Sequence, residues 1–293
     1  MKKISAFVVF IAVFISFASA QSDTPSSAVV PFRSQSLNGS TGLYSIPSGG
    51  LGWEGGSKFG FDAGYRAMIN NDSGIAHIPA VTISFFNWVE ISSAFDIQPD
   101  IHYNGEDQKN SDLLLGLKVK LPTTAKNSKN PSIAIGGNFQ LVNLNNEKGD
   151  YSYNAYQPYV AVTYNGSFFN MIAETTVVFG KTFYSHGPDN DWNFDFGMGF
   201  DLIIFPDVFG NVVHWVTDFA NFSYSDNSWV NKLYSKSGSA WYRGIVNTGI
   251  RINLAAIPAL SKFKFAIDLA FNDLFDDGGR SLTAGAVFGF AVK

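Results

Sequence analysis

The sequence predicts an all-β protein, a transmembrane antiparallel β-barrel of about twelve strands. Apolar and polar residues alternate with period two in many separate segments, because successive side chains of a strand point to opposite faces. The connections between these segments alternate between short and long, as in outer-membrane barrels. The chain also begins with the pattern of an export signal. Together these three features favour a barrel that crosses a membrane outside the cytoplasm.

The first alternating segment is Ser57–Ile69, where the predicted barrel, residues 57–293, begins. Aromatic and aliphatic residues occupy every second position from Phe59, and the intervening positions include Lys58, Asp62 and Arg66. We expect the apolar row to face lipid and the charged row to face the lumen. The final segment, Ser281–Lys293, is expected to return and pair with this first strand, which closes the sheet.

Twelve segments carry the alternation, and most exceed the usual five or six residues of a soluble strand. They fit the roughly 9 to 11 residues of a tilted membrane-spanning strand. The predicted segments are Ser57–Ile69, Pro79–Phe86, Val89–Ile97, Asp112–Leu121, Pro131–Val142, Tyr156–Tyr164, Ser167–Lys181, Trp192–Phe205, Asn211–Tyr224, Ala240–Leu254, Lys262–Asn272 and Ser281–Lys293.

Charges on the polar rows are candidates for the lining of the lumen. Both signs occur, so opposite charges that pair across the lumen would form a closed cylinder, whereas a narrow pore is equally compatible with twelve strands. The candidates are Lys58, Asp62, Arg66, Lys118, Lys120, Glu174, Asp195, Asp201, Asp218, Arg243, Arg251, Lys264 and Asp268.

Alternation by itself also fits a secreted soluble β-sandwich, so the connections decide between the two folds. Those after the odd strands are long and polar, whereas those after the even strands include the short turns Asn87-Trp88 and Asn165-Gly166. The stretch Pro122–Asn130 is long for its side. Short turns on one edge and long loops on the other predict periplasmic turns and extracellular loops.

The N-terminal region divides into a signal peptide, residues 1–20, and a lead-in, residues 21–56. The apolar run of the signal is shorter than the roughly 20 residues of a spanning helix, which disfavours the alternative of a membrane anchor. Ser36–Gly56 is rich in glycine, and we expect it to fold at the periplasmic mouth or in the lumen as a plug. A disordered linker is the alternative. The plug candidates are Leu43, Tyr44, Ile46, Pro47 and Trp53.

Composition narrows the chemistry. The chain has no cysteine, so neither a disulfide nor a thiolate metal site is available, and its formal net charge of −4 argues against a nucleic-acid partner. No catalytic signature occurs, and we predict neither an enzyme nor a cofactor nor a bound metal. His77, His102 and His186 are expected in solvated loops, and His214 is expected to be solvated on a polar strand face. The stretch Asp189–Asp195 has the early oxygen spacing of a calcium loop but lacks its glycine and closing glutamate, and Asp273–Gly279 is a second acidic cluster. Both are expected to be solvated loops.

The stretch Thr41–Ser48, TGLYSIPS, followed by Gly55-Gly56, Phe59-Gly60 and Tyr65-Arg66, resembles the opening of a bacterial outer-membrane barrel family associated with exopolysaccharide export. In that family a TGL-x-x-x-P-like segment leads through a glycine-rich turn into the first strand. The hairpin in Phe85–Ile91 is similar to hairpins of such barrels. The resemblance implies a bacterial envelope barrel with a role in polysaccharide secretion. The chain departs from it at the C-terminus, where Ala291-Val292-Lys293 follows the aromatic alternation.

The predicted function is an outer-membrane pore or export-associated channel for small or polymeric solutes. The alternative is a structural or surface-interaction barrel whose extracellular loops bind host or matrix. The expected location is the bacterial outer membrane, and the expected partners are its lipids and the barrel-assembly machinery. The sequence leaves the oligomeric state open.

Overall fold

The structure is a computed structural model. It describes residues 33–53, 58–70, 74–97, 101–103, 106–122, 131–146, 149–168, 171–185, 194–222, 244–260, 263–275 and 281–292. The predicted signal peptide, Arg243, His186 and most of Asp189–Asp195 and Pro122–Asn130 lie outside the described residues. Within the part of the chain that is described, no helix is long and apolar enough to cross a membrane.

Twelve long strands form one closed antiparallel sheet, and four short strands accompany it. A short helix, α1 (Pro206–Phe209), and two 3₁₀ turns (Leu254–Ala256 and Pro258–Leu260) connect strands at one edge. The strands are β1 (Ser34–Gln35), β2 (Thr41–Gly42), β3 (Phe59–Asn70), β4 (Gly74–Phe85), β5 (Val89–Ile97), β6 (Ile101–Tyr103), β7 (Glu106–Lys120), β8 (Ser132–Asn146), β9 (Gly149–Phe168), β10 (Met171–Gly180), β11 (Phe183–Ser185), β12 (Asp195–Ile203), β13 (Val213–Ala220), β14 (Ile245–Asn253), β15 (Lys264–Asn272) and β16 (Ser281–Val292).

Each wall strand pairs with its neighbour along the chain, and the last strand pairs with the first. β16 runs against β3 from Ser281 opposite Asn70 to Val292 opposite Phe59. Closure leaves no unpaired sheet edge, which is the condition for a sheet to stand in hydrocarbon. The predicted fold class, a closed twelve-strand antiparallel barrel, is therefore confirmed.

The distribution of polar and apolar side chains is the reverse of that in a soluble protein. Ile91, Leu117 and Phe271 are about half exposed, whereas Arg66 and Lys118 are only 1% exposed. A water-soluble barrel would bury the first group and expose the second. The apolar row lines the outside of the barrel, so its surface suits lipid and not water. This arrangement excludes the soluble sandwich.

Several strands extend beyond the predicted segments. β7 starts at Glu106 and β9 at Gly149, where the sequence is polar on both faces and carries no alternation. Backbone pairing with β8 holds both extensions, so tertiary pairing decides their length. The predicted Asn165-Gly166 turn was wrong, because these two residues pair with Glu174 and Ala173 inside the β9–β10 ladder, and the chain reverses only after Phe168.

Two predictions about histidines were also wrong. His77 lies in β4 and His102 in β6, since the strands at the long-loop edge extend farther than the alternation. His77 is exposed on the outer wall, where its Nδ1 lies 2.5 Å from the hydroxyl of Tyr65 in β3. His214 is 1% exposed and points inward, so it is not solvated.

Candidate functional site: the filled lumen

Residues 33–53, named here the luminal segment, fold as a compact double turn inside the barrel. β1 pairs with β2, and Gly42 forms an isolated bridge to Pro47. Backbone hydrogen bonds within the segment hold its turns together: the amide of Leu37 donates to the Tyr44 carbonyl, and the amide of Ser48 donates to the Thr41 carbonyl. All residues from Arg33 to Leu51 are buried. Irregular backbone of this kind would leave unpaired polar groups in lipid, whereas polar groups in the lumen can form hydrogen bonds with it.

Close backbone approach explains the glycine content at one position in particular. Gly39 has a φ of 81°, and a β-carbon there would lie 2.6 Å from the carbonyl oxygen of Ser93 in β5. A residue with a side chain would be strained in this conformation and would also clash with the wall. The turn therefore presses directly against the backbone of β5.

The largest buried ion-pair network among the described residues lies on one half of the barrel wall, in the run of strands from β12 to β3. Asp268 of β15 accepts from Nε of Arg251 at 2.7 Å and from Nη2 of Arg66 at 3.5 Å. Arg251 also contacts Asp201 at 3.3 Å, and Nδ1 of His214 lies 2.5 Å from the same carboxylate. Charges this far from water need partners on all sides. The network links β3, β12, β13, β14 and β15.

The luminal segment closes this network from the inside. Arg66 donates to the backbone carbonyls of Gln35 and Ser36, and the Ser34 hydroxyl donates to Asp268 at 3.5 Å. The guanidinium of Arg251 lies 5.7 Å from the centroid of the Tyr44 ring. Burial raises the pKa of Tyr44 well above its usual value, so the phenol is neutral beside these charges.

A second cluster lies where β5 and β7 approach the short-turn edge. Lys118 and Glu90 form an ion pair of 2.9 Å, and both are only 1% exposed. Thr41 of the luminal segment joins the pair: its hydroxyl and its amide donate to Glu90 at 2.6 and 2.8 Å. Lys118 donates in turn to the carbonyl of Thr41 at 3.0 Å. One residue of the segment therefore binds both members of a wall ion pair.

A third cluster lies at the start of β3. Asp62 accepts from Lys264 at 2.8 Å and from the indole Nε1 of Trp53 at 2.8 Å. Lys264 also donates to the carbonyl of Gly52 and lies 4.9 Å from the centre of the Trp53 ring. Trp53 is half-buried and ends the described part of the luminal segment.

The segment binds two further carboxylates, one on β10 and one on β13. Arg33 donates to both oxygens of Glu174 at 3.0 Å, and both side chains are nearly fully buried. The amide and the hydroxyl of Ser45 donate to Asp218 at 2.6 and 3.0 Å, and Asn247 holds the same carboxylate. The segment therefore contacts strands on all sides of the barrel.

Apolar side chains of the segment fill the space between the polar contacts. Leu43, Tyr44 and Ile46 belong to the buried apolar cluster, together with inward residues such as Val178 and Phe222. Ile46 lies over Gly197 of β12, where a β-carbon would be 2.6 Å from its Cγ2. Close packing of this kind is typical of a protein interior.

Most of the predicted lumen residues are buried on the inner face. Exceptions stand at the short-turn edge, where Lys58 is exposed just before β3 and Lys120 is half-buried at the end of β7. The buried ones are Asp62, Arg66, Lys118, Glu174, Asp195, Asp201, Asp218, Arg251, Lys264 and Asp268. Among the plug candidates, Leu43, Tyr44, Ile46 and Pro47 are buried and Trp53 is half-buried.

Three inward carboxylates were missed from the sequence: Glu90, Asp96 and Asp112. A signal for the first two was present, because Glu90 and Asp96 share one parity in β5, opposite to Ile91 and Phe95. In β7, Asp112 and Lys118 are likewise separated by an even number of residues, so both side chains point to the inner face. In the described residues, no group of three or more potential ligands lies close enough to hold a metal ion.

The fold and the lumen define a transmembrane β-barrel whose interior is occupied by its own N-terminal segment. No family model matches the chain, and no curated protein is similar to it.

Solved structures with a similar shape include a protein titled "KdgM porin", at a TM-score of 0.44 and 10% identity, over 79% of this chain and 99% of that one. The outer membrane protein Omp33 of Acinetobacter baumannii is similar at a TM-score of 0.42 and 10% identity, over 81% of this chain and 100% of that one. OprD, an outer membrane protein of Pseudomonas aeruginosa, gives a TM-score of 0.31 and 10% identity, over 89% and 97% of the two chains.

Proposed function

We propose that the chain is an outer-membrane pore whose lumen is closed by the luminal segment, and that solutes pass when this segment moves. The observation that carries the proposal is the set of contacts from one short segment to carboxylates on opposite walls: Glu90, Glu174 and Asp218. A purely structural barrel needs only side chains from its own strands to fill the lumen. Here the filling belongs to a separate segment, which can leave without breaking the sheet.

The membrane location follows from the outer surface. Large apolar side chains are exposed all round the wall, among them Ile135 of β8 at 50% and Leu269 of β15 at 47%. Aromatic residues are exposed at the short-turn edge, including Trp88, Phe205 and Phe263. Aromatic side chains favour the membrane–water interface, so this edge lies at one border of the lipid. We assign it to the periplasmic side, with the lipids of the outer membrane as the immediate partners.

The resemblance in Thr41–Ser48 extends the proposal to export of a polymer. Thr41 binds the Glu90–Lys118 pair, and Ser45 binds Asp218, so the stretch that carries the resemblance is also the stretch that occupies the lumen. A role in polysaccharide secretion would use the same displacement of the segment. We assign no catalytic role to the barrel.

A closed structural barrel is the second candidate, and the buried ion pairs favour it. Arg66, Lys118 and Arg251 are among the largest fully buried side chains of the described residues, and a lumen held by such contacts is stiff. In that case the external loops would carry the function.

A disulfide between the segment and the wall tests the pore proposal. The chain has no cysteine, so the double variant Ile46→Cys/Gly197→Cys contains one possible pair. The β-carbon of residue 197 would lie 2.6 Å from the position of Ile46 Cγ2, which suits a bridge once Ile46 is shortened. We expect planar-bilayer conductance to be lost under oxidising conditions and restored by reductant.

The matched control is Thr217→Cys/Thr248→Cys, because the hydroxyl oxygens of these two threonines lie 2.7 Å apart on the neighbouring strands β13 and β14. A disulfide there links two wall strands and does not involve the luminal segment. Its conductance should be the same with and without reductant. A second variant lacks residues 38–55 and should show larger, ungated currents from a folded barrel. If the oxidised segment-to-wall variant conducts as well as the reduced one, and the deletion conducts no more than the parent, the barrel is structural.

A further inference from the structure

The inner wall is acidic once the luminal segment is set aside. Nine carboxylates are buried on the inner face of the described wall strands, against four arginine and lysine side chains. The acidic residues are Asp62, Glu90, Asp96, Asp112, Glu174, Asp195, Asp201, Asp218 and Asp268, and the basic ones are Arg66, Lys118, Arg251 and Lys264. His214 adds one group that is positive only when protonated. The lumen residues predicted from the sequence had nearly equal numbers of acidic and basic side chains. That prediction omitted three of these carboxylates and included basic residues at the short-turn edge.

The chemistry of the segment matches this wall. Arg33 is the one charged residue in positions 33–53, and it binds Glu174. Elsewhere the segment offers donors to carboxylates: the amides of Thr41 and Gly52 to Glu90, the amide of Ser45 to Asp218, and the indole N–H of Trp53 to Asp62. Backbone carbonyls of the segment accept from the wall cations Arg66, Lys118 and Lys264, but the segment's one formal charge is positive and it binds a wall carboxylate.

From the acidic wall and this match we infer that the open pore selects by charge, and that it favours inorganic cations and small basic molecules over acidic sugars. The inference rests on the proposed pore. When the segment leaves, Glu174 loses the guanidinium of Arg33, and Asp218 loses both donors from Ser45. The acidic wall is then open to solvent.

Position on the wall strengthens the effect of these charges. Glu174 lies directly opposite Asp201 in the β10–β12 pair, and Asp218 lies opposite Gly199 in the β12–β13 pair. Gly197 and Gly199 carry no side chains, and Ile46 of the segment packs over Gly197 between these carboxylates. An excess of one sign of charge along a channel concentrates counter-ions, and rings of acidic side chains make channels cation-selective.

The test is the reversal potential of a variant that lacks residues 33–55, and therefore also Arg33, in a KCl gradient at low ionic strength, where screening is weak. We expect the permeability ratio of K⁺ to Cl⁻ to be about 3 or more. Adding Asp218→Asn and Glu174→Gln to the same deletion should lower this ratio towards one. Asp207→Asn, an exposed residue of α1 outside the lumen, is the matched control and should leave the ratio unchanged.

Probe solutes give an independent measurement. Spermine should reduce the current of the deletion variant, and oligogalacturonate at the same concentration should not. A folded, conducting barrel with a ratio of one or less, or with stronger block by the acidic sugar, would overturn the cation inference and leave the pore intact. A folded deletion variant that conducts no ions would instead overturn the pore proposal itself. Differential migration of boiled and unboiled samples on a detergent gel establishes that each variant is folded.

Discussion

Asp268→Asn removes the carboxylate that joins two buried guanidinium groups. Asp268 accepts from Arg251 at 2.7 Å, from Arg66 at 3.5 Å and from the Ser34 hydroxyl at 3.5 Å, and it is 1% exposed. Asparagine keeps the volume and one acceptor oxygen. Its amide, however, would place donor hydrogens against the donors of Arg66 and Ser34.

The expected cost is about 3 to 5 kcal/mol of unfolding free energy, because breaking one side of a buried ion pair leaves uncompensated charge. Asp201 remains as a partner of Arg251 at 3.3 Å, which places the expected value at the lower end of that range. From the sequence, which allows lumen charges either to pair or to line a pore, Asp268→Asn is expected to cost far less than an arginine placed in lipid. The buried contacts of Asp268 predict a larger cost.

Urea titration of protein refolded into lipid vesicles, followed by tryptophan fluorescence, measures the difference as a shift in unfolding free energy. Asp207→Asn serves as the matched control and should lie within about 0.5 kcal/mol of the parent. The double variant Arg66→Met/Asp268→Asn should recover part of the loss, with a coupling energy of about 0.5 to 3 kcal/mol. A loss below about 1 kcal/mol for Asp268→Asn, without coupling to Arg66, would show that water solvates both guanidinium groups and would refute the buried network.

Two further predictions concern the wall. Phe265→Arg should cost about 2 to 4 kcal/mol in the same titration, because residue 265 lies in the outward row of β15. The control Phe265→Leu should cost about 1.5 kcal/mol or less, since leucine keeps the surface apolar. If arginine and leucine at position 265 cost the same, this row of side chains does not face lipid. The parent protein should migrate differently on a detergent gel before and after boiling, because the closed ladder from β3 to β16 resists the detergent until it is heated. A chain that stays soluble and monomeric without detergent, and migrates identically in both states, would contradict the barrel.

The strand pattern is local information, and the sequence therefore determined it. Phe59 to Ile69 alternate with charged and small residues, and the same two-faced rows recur in β12, β14 and β15, so strand number, facing and closure could all be predicted. A slip of one residue would put Asp268 or Arg251 into lipid, so the alternation also restricts the register that these strands can adopt.

Tertiary structure decided the features that have no local signal. The polar extensions of β7 and β9 exist because β8 supplies backbone partners, and the Asn165-Gly166 pair stays in a strand because Glu174 and Ala173 lie opposite. Neither residue propensity nor hydrophobic alternation could have predicted these strand residues, since an Asn-Gly pair by itself favours a turn.

The contents of the lumen were decided in the same way. The glycine content of Ser36–Gly56, and apolar residues that would be unusual in a solvated tail, predicted that the segment packs against the inner wall. They did not predict which groups of the wall it binds. Arg33 meets Glu174 across 141 residues of sequence, and Ser45 meets Asp218 across 173. Barrel closure brings such distant residues together, and only then do the inward charges form an acidic wall that the segment's donors can satisfy.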